Sequence, residues 1–137
     1  MLLNKTTKYA ISILAFMVRE SDKFYSAEML HNELNIPRRY LRLLLTDLSK
    51  HGFIISSRGR NGGFCLCKNP RDTSIAQVID KLEGLSNYNI CFFGIENCNN
   101  GQACAMHDTW NETRDALIKT LNQTSLHDLG ENSIIKF

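Results

Sequence analysis

The sequence predicts a mainly α-helical chain with one small β hairpin: a winged helix-turn-helix followed by a long C-terminal dimerisation helix. Three observations predict it. Apolar residues recur at helical spacing through most of the chain. Two short apolar runs flank RGRNGG at residues 58–63, a Gly-rich turn between two strands. Charge is segregated: residues 1–70 carry 11 Lys+Arg against 5 Asp+Glu, or +6, and residues 71–137 carry 5 against 9, or −4, which sums to the net +2. Only the first half therefore suits a polyanion.

The first helix spans about residues 5–19, with Tyr9, Ile13, Phe16 and Met17 on one apolar stripe. Lys5 and Lys8 stand at its start, the wrong end for the helix dipole, and a nearby phosphate would offset that placement. Ser26 caps a second, short helix through Leu34, whose buried side is Met29, Leu30 and Leu34. Asn35–Ile36–Pro37 makes a turn, with Pro37 opening a third helix that ends near His51 and Gly52. Leu41, Leu44, Leu45 and Leu48 face the core, while Arg38, Arg39, Tyr40 and Arg42 gather at the N-terminal end. In a helix-turn-helix those are the places that reach base edges in the major groove.

Phe53–Ser57 and Phe64–Lys68 read as the strands of the hairpin. Its tip carries Arg58, Arg60, Asn61 and Gly62, which suits a phosphate or a narrow minor groove. Alternation puts Cys65 and Cys67 on one face, expected to be the less buried one. Ser74 and Gln77 form a capping box for a fourth helix, with Ile75, Val78, Ile79 and Leu82 inward and Gly84 at its end. Residues 85–103 show no periodicity, and a loop of that length is usually functional or disordered. The last long helix begins near 103–105 and runs to about Asn122, with one further turn expected over Ser125–Leu129. Met106, Trp110, Thr113, Leu117 and Leu121 form its stripe, and a second protomer is the natural cover. The expected divisions are a DNA-binding domain at 1–84, a ligand-binding loop at 85–104, and a dimerisation helix with a tail at 105–137.

The totals exclude several classes. A chain of 137 residues with 43% hydrophobic and 22% charged residues can bury a core as one domain. No apolar run approaches the roughly 20 residues of a membrane span. The N-terminus begins like a signal peptide, but Arg19 and Glu20 follow the apolar part without a cleavage site, so a cytoplasmic protein is expected. No Gly-rich phosphate loop, paired carboxylates or nucleophile–base pattern points to an enzyme, and no small-molecule substrate is expected.

Chemistry is concentrated in Cys91–His107, CFFGIENCNNGQACAMH. Three thiols and an imidazole lie within seventeen residues, with gaps of six, five and two. Such a set can close a tetrahedral zinc site or hold an iron–sulfur cluster. It could also be a thiol switch, or three unpaired loop cysteines. Five cysteines, none before Cys65, favour metal or redox chemistry over a disulfide frame in a reducing compartment.

Taken together, KYA near the start, IPRRYLRLLLTDLSKHGFI, SSRGRNGGF, AQVIDKLEG and the three-cysteine loop followed by MHDTW resemble the iron–sulfur winged-helix transcription regulators typified by IscR and NsrR. The similarity covers essentially the whole chain. It implies a homodimer that binds palindromic double-stranded promoter DNA, with crossed C-terminal helices and a cluster near that interface. It implies Cys91, Cys98 and Cys104 as cluster thiolates and His107 as the fourth ligand of IscR-like members. NsrR-like members take an acidic residue at the start of the first helix, where this chain has Thr7 and Lys8. The resemblance therefore implies a 2Fe–2S cluster, with 4Fe–4S or zinc as alternatives, in a repressor that senses iron supply, oxidative stress or nitric oxide. The first cysteine gap is one residue longer than the family's usual five. Cys65 and Cys67 lie outside the motif.

Overall fold

The structure is a computed structural model and describes residues 3–96, 98 and 104–132. Its elements are α1 (Lys5–Met17), α2 (Ala27–Leu34), α3 (Arg38–Lys50), β1 (Ile54–Ser57), β2 (Gly63–Leu66), α4 (Ile75–Leu82), α5 (His107–Gln123) and α6 (Leu126–Asn132). The mainly α architecture with one hairpin is as the sequence predicts.

Helix α1 opens at Asn4, whose side-chain oxygen accepts the Thr7 amide at 2.8 Å. It gives way to a 3-10 turn at Val18–Glu20 rather than continuing to residue 19 as α-helix. The expected single stripe is also too narrow. Ala10, Ile11, Ile13, Leu14, Ala15 and Met17 are all buried, whereas Tyr9 and Phe16 are only partly covered. The cause is α6, which folds back onto α1. A Cβ on Gly130 would meet Val18 Cβ at 2.6 Å and the Ala15 carbonyl oxygen at 2.8 Å, so the two backbones nearly touch there.

Ser26 accepts the Met29 amide at 3.0 Å and caps α2. Helix α2 ends at Asn35, in the left-handed region at φ 55°. His31 Nδ1–H donates to the Ile36 carbonyl at 2.6 Å, which holds the turn into α3. Leu41, Leu44, Leu45 and Leu48 then face the core as expected.

Strands β1 and β2 pair antiparallel from Ile54↔Leu66 to Ser57↔Gly63. Tyr25 bridges the other edge of β2 by exchanging two backbone hydrogen bonds with Phe64, at 2.7 and 2.8 Å. Cys65 is buried and its thiol donates to the Ser21 carbonyl at 3.4 Å, while Cys67 is exposed. This corrects the expected common face: β2 ends at Leu66, so alternation stops before Cys67, and the Cys65 side is the covered one.

The Ser74–Gln77 capping box opens α4 as expected. A 3-10 turn, Leu85–Tyr88, follows. Helix α5 starts at His107, two to four residues later than its periodicity suggests. Backbone bonds from Ile75 N to Thr124 O and from Leu126 N to Thr73 O, each 2.9 Å, then stitch the α5–α6 joint to the start of α4. Leu126 enters the same core as α1, α3 and α4. Among the described residues no helix is long and apolar enough to cross a membrane.

Candidate functional site

Two regions gather the residues that carry chemistry. The first is a cavity of about 590 Å³ between the loop after α4 and the start of α5, lined by Cys91, Cys98, Cys104, His107, Trp110 and Arg114 among others. Cys91 and Cys98 have their sulfurs 3.5 Å apart, and Cys98 Sγ lies 3.6 Å from His107 Nδ1. Cys104 is exposed but close enough to Cys98 to raise its pKa. Among the described residues no three ligand-type side chains are drawn into a closed metal site.

The two thiols of the closest pair are unlike. Backbone amides of Ile95 and Phe93 point at Cys91 and hold its thiol below the ordinary range. Cys98 is pushed up because its proton is shared with Cys91, with burial and the charges of Cys91 and Cys104 adding to that. Cys91 is thus the preferred thiolate and Cys98 the preferred thiol, the state from which a soft cation would displace protons.

His107 is placed by its position as the first residue of α5. One turn on, Asn111 Nδ2 lies 3.2 Å from His107 Nε2, so the amide holds the ring with Nδ1 toward Cys98. Trp110 Nε1–H donates to the Ile90 carbonyl at 2.8 Å and fixes the residue before Cys91. Phe92 packs edge-on to Trp110, ring centroids 5.4 Å apart. Arg114 Nε is buried without a hydrogen-bond acceptor, and its nearest carboxylate oxygen, on Asp115, is 3.9 Å away. An unanswered guanidinium N–H on a wall shared with three sulfurs suits an anionic occupant. By donor softness, thiol polarisation and the Arg114 Nε–H that lacks an acceptor, the residues present fit a thiolate-held cluster. Asn111 and Arg114 are absent from the sequence expectation. Their i+4 and i+7 spacing from His107 on a helix is the signal that would have found them.

The second region is the face formed by α3 and the hairpin tip. Arg39, Arg42, Arg58 and Arg60 are exposed, and no ion pair or hydrogen bond holds their guanidinium groups among the described residues. Arg38 differs: it grips Glu28 with bonds of 2.5 and 3.1 Å. Tyr40 is also engaged, sharing a 2.6 Å hydrogen bond with Thr6 and packing edge-on to Tyr9 at 5.4 Å. Gly62 is required by the hairpin itself, since a Cβ there would lie 2.2 Å from the Ser57 carbonyl oxygen. Lys5 is exposed, with its ammonium 5.6 Å from the Tyr9 ring, and Lys8 is partly covered. Asn61 stands at the exposed tip.

The stripe on α5 divides among neighbours in its own protomer. Met106 and Trp110 line the cavity and Leu121 packs on the core. Leu117 is half-buried and Thr113 exposed. None of the seventeen residues of α5 is fully buried.

The pattern that defines the Rrf2 family, described as an iron-dependent transcriptional regulator, matches residues 3–132. The chain belongs to the Rrf2 family. Among curated relatives, the transcriptional regulator NsrR of Bacillus licheniformis is 29% identical over 96% of this chain and 94% of its own. NsrR of Oceanobacillus iheyensis is 30% identical over 95% of this chain and 90% of its own. Among solved structures, the global cysteine regulator CymR of B. subtilis superposes with a TM-score of 0.79 at 23% identity, covering 97% of this chain and 98% of its own. IscR of T. potens superposes with a TM-score of 0.71 at 20% identity, covering 94% and 85%. These two show the shared fold. This Rrf2 chain is accordingly a transcriptional regulator similar to NsrR and IscR.

Proposed function

We propose that this Rrf2 protein is a homodimeric, DNA-binding repressor whose promoter affinity is set by a 2Fe–2S cluster on Cys91, Cys98, Cys104 and His107. The observation that carries this reading is the run of close contacts from Cys91 to Cys98 to His107 along one cavity. When bound, such a cluster supplies a centre sensitive to oxidants, nitric oxide and iron supply, with a raised potential because imidazole replaces a thiolate. The chain's own part is to hold it and to pass on its state. The backbone amides at 93–95 keep Cys91 ready as a thiolate, Asn111 orients His107, and Arg114 balances negative charge.

A continuous set of contacts leads from this cavity to the DNA-facing helix. Ile90, beside Cys91, is held by Trp110. Tyr88 donates to the Glu83 carboxylate, which also accepts from Thr7 Oγ1 at 2.7 Å and Asn4 N at 3.1 Å. From the start of α1, Thr6 reaches Tyr40 on α3. A change in how the loop is held can thus bias the pose of α3, provided the two poses differ in affinity for DNA. In this reading residues 1–84 bind DNA, 85–104 form the sensing loop, and α5 supplies the contact with a second copy through the surface its own protomer leaves open.

One observation favours a second reading. Two sulfurs 3.5 Å apart, one poised as thiolate and the other as thiol, suit peroxide oxidation to a Cys91–Cys98 disulfide with no metal. The deciding measurement is the visible spectrum with iron and sulfide content of anaerobically purified protein. About two irons and two sulfides per chain support the proposal. About four of each transfer the reading to a 4Fe–4S site without need of His107. A colourless protein with one zinc removes the sensor but leaves DNA binding. A metal-free protein that loses the mass of two hydrogen atoms under peroxide, as two thiols become a disulfide and peroxide becomes water, supports the thiol switch.

A further inference from the structure

The outward face of α3 holds a residue that the basic reading of this helix does not use. Leu43 is 60% exposed. At about 100° per residue it projects opposite the buried Leu41, Leu44, Leu45 and Leu48. Its neighbours on the same face are the exposed Arg39, Arg42, Thr46 and Lys50 and the half-buried Asp47. An isolated exposed leucine is unremarkable on most surfaces. Here it stands in the middle of the cationic face that the preceding reading turns toward DNA. Thr46 adds a methyl to this strip: its hydroxyl hydrogen is engaged by the Arg42 carbonyl at 2.9 Å, so the side chain offers no donor alongside that methyl. Arg38 and Tyr40, nearer the start of the helix, are already occupied by Glu28 and Thr6.

We infer that Leu43, assisted by the Thr46 methyl, is a specificity-determining residue that reads the C5 methyl of thymine in the major groove. The inference rests on the DNA-binding reading above and adds which chemical group is read. The major groove displays one apolar group, the thymine methyl, and apolar side chains are its natural partners. A leucine flanked by Arg39 and Arg42 is positioned for it, with the arginines available for phosphate or guanine on either side. The half-site should therefore contain at least one thymine whose methyl contributes to affinity, next to a position read by arginine.

The test uses the full-length chain, purified anaerobically. Duplexes are enriched from a randomised double-stranded library, and binding is then measured to the enriched duplex with each thymine replaced in turn by uracil, which removes only the methyl. At one or two positions per half-site the wild type should lose about three- to fivefold in affinity, the worth of one buried methyl. Leu43→Ala, at an exposed site that leaves the fold intact, should bind the thymine and uracil duplexes alike at those positions. It should keep the wild-type salt dependence. Thr46→Ser, which keeps the hydroxyl and deletes the methyl, should reduce the same uracil effect in part. The inference is overturned if uracil is tolerated everywhere, or if Leu43→Ala is penalised by uracil as much as the wild type. A wild-type chain that enriches no duplex at all overturns the DNA-binding reading along with it.

Discussion

Among the described residues Arg42 and Arg60 have no ion-pair partner, and the DNA-binding proposal sets them against different parts of a duplex. Arg42 lies with Leu43 on the exposed face of α3 that is proposed to enter the groove, so Arg42→Ala should cost about 1–3 kcal/mol on the preferred duplex and relax preference at one base. Arg60, at the hairpin tip, should act through phosphate or groove potential, so Arg60→Ala should weaken all sequences alike and reduce the salt slope by about one. Titrations on enriched and random duplexes at several salt concentrations separate the two, and equal losses on both duplexes from Arg42→Ala would remove it from base reading. The cysteines, His107 and the free arginines were legible in the sequence because their chemistry is carried by residue type and local spacing. The contacts of Arg38 with Glu28 and of Tyr40 with Thr6 could not be read from the sequence, because those partners are neighbours only after folding. Asn111 and Leu43 went unread for a different reason: each looks ordinary until the helical face it shares is known.

Elements were legible where period and caps agree, as in α3 and in α4 with its Ser74–Gln77 box. They were less so at α1 and α6. A seven-residue helix has too few turns to show a period, so nothing local announced that α6 would cover a second side of α1. Gly130→Ala would push a methyl against Val18 and the Ala15 carbonyl, and should destabilise by about 1–3 kcal/mol, read as a lower unfolding temperature. Glu83 ties the end of α4 to the start of α1. Burial raises its pKa, but hydrogen bonds from Tyr88, Thr7 and the Asn4 amide outweigh that and bring it below the ordinary 4.5. A carboxyl with a depressed folded pKa stabilises above its unfolded value, and that contribution fades as pH falls through the folded value. Glu83→Gln should therefore lower stability by about 1–2 kcal/mol at pH 7 and progressively less below pH 4.5. Denaturant midpoints at the two ends of that range check this, and an undiminished loss in acid would contradict it.

Across the whole molecule, the Tyr88–Glu83–Thr7 junction ties the turn before the cysteine-lined cavity to the start of α1, and so joins the regions proposed to sense and to bind DNA. Tyr88→Phe should leave cluster loading and the fold in place while reducing the ratio of loaded to unloaded promoter affinity by about fivefold or more, the lower end of ordinary coupling free energies. An unchanged ratio would mean the signal travels elsewhere, for instance through a rearrangement of the two α5 helices. The packing of α6 on α1 has a further consequence, for synthesis. Helix α1 is completed by an element far downstream of it in the sequence. A nascent chain that has delivered α1, α3 and the hairpin still has the Ala15–Val18 side of its first helix bare, and contacts this distant in sequence are formed late. A copy released before α6 is made therefore leaves that side of α1 uncovered.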